Sequence, residues 1–318
     1  MAVINTITGS KLAGCPVTVE VVRGNIDPKA TFHRVRIVAT VGNSNNQFEF
    51  STPVGNDTVY PFDVSSALRA VLEKYAYQAD QLGNYPAVSL SVVAYDDYLL
   101  DGEEKHFGPS ASADGGQFYL GRLTDRERLA DARPSSYSRK PASSPEIVHV
   151  GKTLLVPGPF GSAPSVSAVA ITASTAATAA YYPIAAPKDS YELRFINTLG
   201  VHESCHITCL QQTEVNIKSE HHTIATLETL TQFSRGVTRK QDDYELWKMS
   251  SGPLDRQWLQ WWLHEPLMAE QAWLKVDGQW LPVHIVPEET TKGIDRSKCD
   301  ALTVEFTLRF DINGSPFA

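Results

Sequence analysis

Cysteine is scarce in this sequence, and the few cysteines present are widely scattered. They stand at Cys15, Cys205, Cys209 and Cys299. Small secreted domains that depend on disulfides carry a much denser and more regularly spaced set. We therefore expect free thiols, largely buried as small apolar side chains, and no disulfide scaffold.

Positive charge is also in short supply. Lysine and arginine together number 28 against 36 aspartates and glutamates, which gives a formal net charge of -8. A nucleic-acid surface requires clustered lysine and arginine to neutralise phosphates. The composition thus predicts no nucleic-acid partner, while the net negative charge by itself selects no other partner.

Long apolar runs are missing as well. No segment combines the length and the hydrophobicity that a bilayer-spanning helix needs. The opening residues MAVINTITGSKLAGCPVTVEVV lack the basic start and continuous apolar stretch of a secretory signal. We expect no membrane partner and a chain that is made and folded in a cytosol.

What the sequence does contain is alternation between apolar and polar residues. Val35, Ile37, Ala39 and Val41 alternate in the first third, and so do Val88, Leu90, Val92 and Ala94. This period is typical of strands with one buried face. Between these two segments the period becomes helical at Val64, Leu68, Val71, Leu72 and Tyr75, with Asp63 as the predicted N-cap.

The last 130 residues show the same alternation. The final predicted strand places Leu302, Val304, Phe306, Leu308 and Phe310 on one face. Asp101-Gly102 and Asp277-Gly278 predict tight hairpin turns. A strand that begins at Tyr191 is predicted to end in a turn at Gly200, and a short helix is predicted over residues 253–264, which Pro266 prevents from continuing.

These patterns predict a mainly β protein with two antiparallel β-sandwich-like domains, each with a short packed helix. The N-terminal domain is assigned to residues 1–130 and the C-terminal domain to residues 189–318. Residues 131–188 are rich in Pro, Ser, Ala and Thr, and we interpret them as a linker or an extended arm.

Motifs that would indicate catalysis are weak. Gly151-Lys152-Thr153 imitates the end of a phosphate-binding loop, but Glu146 stands where that loop requires glycine. Asp96, Asp97, Asp101, Glu103 and Glu104 form an acidic cluster without the register of a calcium loop, and we interpret it as a solvated hairpin tip. A glycosidase-like pair of carboxylates assembled in space stays open as a third hypothesis.

One group of residues has the chemistry of metal ligands. His202, Cys205, His206 and Cys209 follow one another closely, with His221 and His222 further along. On a strand Cys205 and His206 point to opposite faces, and zinc sites use two separated ligand pairs joined by a loop. We therefore favour small thiols facing the core and histidines near a turn, and we predict no metal and no cofactor.

Tryptophan is concentrated near residues 247–280. Trp258, Trp261 and Trp262 lie on the predicted helix, where they span too wide an arc for one narrow buried stripe. The hypothesis is that at least one of them faces outward or toward a partner, so all three are candidates for a partner contact. The alternative is a helix that covers a sandwich core.

Several segments resemble tail structural proteins of Bacteroides-type phages and prophages. The resemblance is carried by PFDVSSALRAVLEKY and YELRFINTLGVHES, and by the closing sequence VDGQWLPVHIV, PEETTKGIDRSKCD and LTVEFTLRFDI. It touches both ends of the chain and leaves the middle third without a counterpart. It implies a tail component of the virion near the distal tail or baseplate, assembled in the bacterial cytoplasm as a homo-oligomer with other phage tail proteins.

The leading expectation is therefore a non-catalytic structural protein that acts by assembly, in a ring that closes under cyclic symmetry. The alternative is a carbohydrate-binding or adhesin-like module that uses the tryptophan-rich region.

Overall fold

The computed structural model describes residues 2–24, 29, 32–55, 57–75, 77–83, 85–107, 112–130, 133–172, 174, 180–224, 235–286 and 303–311. Over these residues the chain is mainly β, with antiparallel sheets and three short α-helices. The fold class predicted from alternation is thus confirmed. The chain divides into two compact units. Unit 1 is Met1–Tyr137 with Gly158–Ser165 and Thr198–Val201, and unit 2 is Ser138–Pro157 with Val166–Asn197 and His202–Ala318.

Unit 1 contains two antiparallel sheets and two helices. Its elements are β1 (Val3–Gly9), β2 (Val17–Val22), β3 (Phe32–Val41), β4 (Gln47–Pro53), β5 (Val59–Asp63), α1 (Ser65–Leu72), β6 (Ala87–Leu100), β7 (Glu103–Phe107), β8 (Ala113–Tyr119) and α2 (Asp125–Leu129). One sheet has the order β1-β2-β5. The other has the order β4-β3-β6-β7, and β8 also pairs with β6.

A single apolar core joins the two sheets of unit 1. Val19, Ile37 and Leu90 from the sheets and Leu68 from α1 are fully buried in it. Because each sheet buries its alternating apolar face against the same cluster, unit 1 is sandwich-like.

The first helix, α1, is shorter than the apolar pattern that predicted it. Val64 occupies the N-cap position, and Asp63 Oδ1 instead accepts a hydrogen bond from the Ser65 amide at 2.9 Å. The exposed Tyr75 lies beyond the helix, which ends at Leu72. The helix α2 was not predicted because it buries no side chain and therefore has no apolar period, although Thr124 and Glu127 form a capping box at its start.

Unit 2 is built on a seven-stranded antiparallel sheet. Its elements are β9 (Glu146–His149), β10 (Thr153–Pro157), β11 (Val166–Ala170), β12 (Tyr181–Ile184), β13 (Tyr191–Ile196), β14 (His202–Ile207), β15 (Cys209–Ile224), β16 (Arg235–Ser250), α3 (Arg256–His264), a 3-10 turn (Pro266–Met268), β17 (Ala272–Val276), β18 (Gln279–Val286) and β19 (Glu305–Asp311). The large sheet has the order β14-β13-β17-β18-β19-β16-β15. Strands β10 and β11 form an antiparallel pair, and β9 and β12 form a parallel pair.

The core of unit 2 lies between the large sheet and α3. Val304, Phe306, Leu308 and Phe310 are buried there, which confirms the alternation predicted for the last strand. Leu302 lies outside the described residues. The helix begins after Asp255, whose Oδ1 accepts hydrogen bonds from the amides of Gln257 and Trp258 at 2.9 and 3.0 Å, so the predicted start at residue 253 is too early.

Both predicted Asp-Gly turns are confirmed. Asp101 and Gly102 join β6 to β7 with φ values of 53° and 81°, and Asp277 and Gly278 join β17 to β18 with 48° and 84°. Two successive positive φ values match the right-handed twist of a hairpin.

The predicted glycine turn at Gly200 is also present and belongs to unit 1. Its φ is 81°, and a Cβ at this position would overlap the carbonyl oxygen of Leu120. A Cβ at Gly121 would likewise overlap the carbonyl oxygen of Leu199. The two backbones approach this closely because both residues are glycine.

Residues 131–188 differ from the predicted linker or arm. They contain β9, β10, β11 and β12, and their described parts are divided between the two units. A small core of Val148, Leu154 and Ile171 fixes β9 and β10 within unit 2. The Ser/Pro composition therefore reflects short strands and turns and not a free connection.

Candidate functional site

The three tryptophans of α3 are buried, which overturns the expectation that at least one faces outward. Their relative exposures are 6% for Trp258, 4% for Trp261 and 3% for Trp262. On the sheet side, Trp261 lies 5.9 Å from the Phe195 ring and Trp262 lies 5.5 Å from the Phe306 ring. Tryptophans on more than one side of α3 can all be buried because the sheet covers one side of the helix and a second segment covers another.

That segment is residues 138–145, which we call the strap. The Arg139 guanidinium contacts the Glu265 carboxylate at 2.8 Å, at the C-terminal end of α3. Ser143 and Ser144 donate hydroxyl hydrogen bonds to Gln257 and Asp255 at the other end of the helix. The strap therefore fixes α3 at both ends, although the sequence predicted it to be part of a linker.

A buried ion pair joins the strap to β9, and the same lysine contacts β14 of the large sheet. Lys140 Nζ donates to both carboxylate oxygens of Glu146, at 2.8 and 2.9 Å, and to the Ser204 carbonyl oxygen at 2.8 Å. These bonds use all three donors of the ammonium group. Burial alone would lower the pKa of Lys140, but the adjacent Glu146 raises it above its ordinary value, so this lysine stays charged.

Glu203 lies in the same buried cluster. Its carboxylate accepts hydrogen bonds from the Ser138 hydroxyl and from Asn197 Nδ2, the latter at 3.0 Å. Burial raises the pKa of Glu203 to about 7, while Lys140 opposes that rise. Glu203 thus titrates near neutral pH.

The proposed metal ligands are not brought together. His206 Nδ1 accepts a hydrogen bond from the His149 amide at 2.8 Å, and its Nε2 lies 3.1 Å from the Thr153 carbonyl oxygen. His202 stacks on Trp273 instead, at 5.6 Å between ring centroids. Cys205 belongs to the core that packs under α3.

The remaining metal candidates fall outside what the structure describes. The side chains of Cys209, His221 and His222 are not among the described ones. Across the part of the chain that is described, no group of three or more His, Cys, Asp or Glu side chains is placed to hold a metal ion.

A cavity of about 440 Å³ lies beside α3 in unit 2. Its apolar lining includes Ile147, Ile184, Leu254, Trp258, Trp261 and Trp262. Its polar lining includes Glu146, His149, Cys205 and His206. Sequence reasoning missed this cavity because its walls come from the strap, from two short strands and from α3, which are far apart in the chain.

The polar groups of the cavity are mostly neutral or already paired. Burial lowers the pKa of His149 to about 4 and that of His206 to about 3, so both imidazoles are uncharged at neutral pH. The two rings are stacked at 5.2 Å. Burial also raises the pKa of the Cys205 thiol well above its ordinary value, which keeps it from being a nucleophilic thiolate.

The two sequence motifs with a catalytic appearance have structural roles. Gly151 lies in the turn between β9 and β10 with a φ of 87°, Lys152 Nζ donates to the Ser190 carbonyl oxygen at 2.9 Å, and the Thr153 amide donates to Glu192 at 3.0 Å. The segment is thus a hydrogen-bonded turn within unit 2.

In the acidic cluster of unit 1, Asp96 and Asp97 are buried, so the interpretation as a solvated tip is wrong for them. Asp97 Oδ2 accepts from Arg34 and Arg36 at 3.1 and 2.8 Å. Asp101, Glu103 and Glu104 are exposed at the hairpin tip, as expected.

Comparisons with known proteins add no assignment. No protein-family model, no curated protein and no solved structure matches the chain. Among the helices that the structure describes, none is both long and apolar enough to cross a membrane. Any functional conclusion therefore depends on the residues of this chain and on the resemblance noted in its sequence.

Proposed function

We propose that the protein is a non-catalytic structural component that acts by protein–protein assembly, through the hairpin formed by β15 and β16. The observation that carries this proposal is the length of the hairpin relative to the sheet to which it belongs.

The hairpin continues well past its neighbouring strand. Strands β15 and β16 pair from Cys209↔Ser250 to Ile224↔Arg235. Among the described residues, strand β19 pairs with β16 from Ser250 to Tyr244, which lies opposite Asp311. The eight pairs from Ile217↔Asp242 outward therefore form a two-stranded ribbon as far as the described strands go. At about 3.4 Å per residue, the ribbon is roughly 25 Å long.

Such a ribbon favours a partner for two physical reasons. A two-stranded hairpin without further strands or a covering layer is at best marginally stable in water. In addition, β15 is one of the two edge strands of the large sheet as the described residues define it, and an edge strand can pair with another chain along its outer side. Pairing with a neighbouring subunit would stabilise the ribbon and satisfy the backbone groups along the outer side of β15.

The chemistry of the cavity is consistent with a non-catalytic role. His206 uses both ring nitrogens in hydrogen bonds to backbone groups. The raised pKa of the Cys205 thiol and the pairing of Glu146 with Lys140 leave these groups poorly suited to nucleophilic or general-base catalysis.

The sequence resemblance suggests where the assembly occurs. We propose a component of a Bacteroides-type phage or prophage tail, near the distal tail or baseplate, which forms a homo-oligomer and contacts other tail proteins. The site in the particle would be the virion tail, after synthesis in the bacterial cytoplasm.

The test compares the full chain with a variant in which an Asn-Gly turn replaces residues 218–241. Sedimentation velocity over a range of concentrations should show a closed oligomer for the full chain and a monomer for the shortened variant. Circular dichroism should show the same fold in both. A full chain that stays monomeric at every concentration, and does not bind the products of neighbouring tail genes, would exclude the proposal.

A matched control changes a different hairpin. Replacing Glu103 and Lys105, which are exposed on β7 of unit 1, by alanine should leave the oligomer unchanged. Loss of the oligomer in this control as well would mean that assembly does not depend specifically on the ribbon.

The carbohydrate-binding alternative is not favoured by the tryptophans. Trp247 and Trp273 are buried like the three tryptophans of α3, and the partly buried Trp280 is covered by the Arg194 guanidinium at 3.9 Å. Stacking on a sugar requires an exposed ring face. A glycan array that compares the wild type with Trp261→Ala would test this alternative directly.

A further inference from the structure

We propose that the cavity beside α3 in unit 2 is a binding site for an uncharged, mainly apolar molecule that contains a ring and a hydrogen-bond acceptor. This inference is independent of the ribbon and of the proposed assembly.

The size and walls of the cavity fit such a molecule. Its volume of about 440 Å³ falls within the range of roughly 300–1,000 Å³ that is usual for small-molecule sites. Trp258 and Trp261 meet edge to face at 5.3 Å, and aliphatic side chains such as Ile184 and Leu254 contribute other parts of the lining. Flat aromatic walls of this kind favour a ring in the ligand.

Two buried polar atoms indicate the polar groups of the ligand. Trp261 Nε1 and His149 Nδ1 have no hydrogen-bond partner among the described residues, and both residues line the cavity. A buried polar atom without a partner is costly, so each is a place where a bound molecule gains affinity. The indole N–H is only a donor, which requires an acceptor such as a carbonyl oxygen on the ligand.

The charged groups around the cavity are engaged by other residues, which disfavours an ionic ligand. His149 and His206 are neutral at physiological pH because burial lowers the pKa of each. The carboxylate of Glu146 is already neutralised by two bonds from Lys140. The Asp255 carboxylate, which also lines the cavity, already accepts hydrogen bonds from two backbone amides and from the Ser144 hydroxyl. A charged ligand would therefore be desolvated without an unengaged counter-charge in the described lining, which is unfavourable.

The apolar mouth also points to an open site. Ile147 is 42% exposed and Tyr182 is 54% exposed, and both line the cavity. Large apolar side chains that remain exposed beside a cavity are typical of entrances to binding sites.

The experiment uses the full chain, labelled with 15N in its indole groups, and two probes of nearly the same shape. 1-Indanone carries a carbonyl oxygen and indane does not. We expect 1-indanone to move the Trp261 indole N–H resonance, assigned with Trp261→Phe, in a saturable way. Indane should bind about tenfold more weakly, because it leaves the indole N–H unpaired.

Two variants separate binding in the cavity from binding elsewhere. Ile184→Trp fills the cavity and should weaken 1-indanone binding by about tenfold or more. Val286→Trp introduces the same side chain at an exposed position of β18 outside the described cavity lining and should bind as the wild type does. Circular dichroism confirms that both variants are folded.

Three outcomes would overturn the inference. These are no saturable shift of the Trp261 resonance with either probe, equal affinity for the two probes, and wild-type affinity in a folded Ile184→Trp variant. None of them affects the sedimentation result, since the described residues that line the cavity all lie outside the ribbon.

Discussion

Glu203 shows how the position of one carboxyl group links protonation to stability. It lies on the face of β14 that packs toward α3, in contact with Ser138 and Asn197 and near Lys140. Because burial penalises the charged form, the folded chain holds this proton over a pH range in which an unfolded chain has released it.

We therefore predict that Glu203 makes the protein less stable as the pH rises. The folded pKa is about 7 and the ordinary value is 4.5, so the folded state binds the additional proton between these values. The free energy of unfolding must then fall across this window as the pH rises. In Glu203→Gln this contribution is lost. The free energy of unfolding of the wild type minus that of the variant should therefore decrease steadily from pH 4.5 to pH 7.

Urea unfolding followed by tryptophan fluorescence at several pH values measures this difference. Comparison with the variant is needed because His149 and His206, with lowered pKa values, destabilise the folded chain as the pH falls below 6.5. Replacing the exposed Glu103 by Gln is the control. Parallel stability curves for the wild type and Glu203→Gln would contradict the prediction.

The ion pair between Lys140 and Glu146 gives a second prediction at this scale. Lys140→Met should cost about 3–5 kcal/mol of stability, because it leaves the Glu146 carboxylate buried without its partner. The double variant Lys140→Met/Glu146→Gln should recover most of that loss. Denaturant unfolding of the two single variants and the double variant forms a double-mutant cycle, and strictly additive losses would show that the pair is not coupled.

Among the elements, α3 depends on both its own cap and the strap. Asp255 accepts two backbone hydrogen bonds at the start of the helix and a third from the Ser144 hydroxyl. Burial alone would raise its pKa, but these three donors hold it below the ordinary value. The carboxylate is thus the point at which the strap and the helix meet.

Asp255→Ala should therefore destabilise unit 2 by about 1 kcal/mol, the usual cost of a lost N-cap. Asp255→Asn should lose less, since its amide oxygen still accepts the backbone bonds. Thr124→Ala removes the corresponding cap of α2 in unit 1 and is the matched control. Tryptophan-monitored unfolding should respond to the change at Asp255 and not to the change at Thr124.

Two edge strands of unit 2, β12 and β15, differ in whether they contain a proline. The carbonyl oxygens of Ala180, just before β12, and of Ile184, at its end, accept hydrogen bonds from the amides of Glu146 and Val150 on the β9 side. Alternation therefore directs Pro183 toward the other edge. A proline there offers no donor to a further strand. The edge strand β15 runs for 16 residues from Cys209 to Ile224 and contains no proline. This contrast supports the ribbon, which was proposed from its length, as the assembly contact.

At the scale of the whole molecule, tryptophan fluorescence reports on the unfolding of unit 2. All six lie at positions 247–280, within unit 2. The buried cores of the two units are separate clusters, one around Ile37 and Leu90 and the other around Phe306 and the tryptophans of α3.

This arrangement gives a prediction about unfolding. Phe306→Ala should lower the stability reported by tryptophan fluorescence by about 3–5 kcal/mol, through the lost ring and the cavity that remains. Ile37→Ala truncates an equally buried side chain in unit 1 and should not move the tryptophan transition. If both variants shift that transition equally, the two cores unfold as one cooperative unit.

Local chemistry determined much of the fold. Alternation predicted the strands because a strand with one buried face repeats every two residues, as at Val35–Val41 and Val304–Phe310. The Asp-Gly pairs predicted both hairpin turns because only a few residue types tolerate two positive φ values in succession. These signals are contained within a few neighbouring residues, so the sequence by itself is sufficient to determine them.

Tertiary structure alone decided the role of the strap and the surroundings of the tryptophans. The strap is polar and without a period, and its contacts join residues more than a hundred positions apart, such as Arg139 with Glu265 and Ser144 with Asp255. Whether a side chain is buried depends on what packs against it, and no local pattern records a partner that is distant in the sequence. The covered tryptophans, the raised pKa of Glu203 and the cavity beside α3 all follow from that packing.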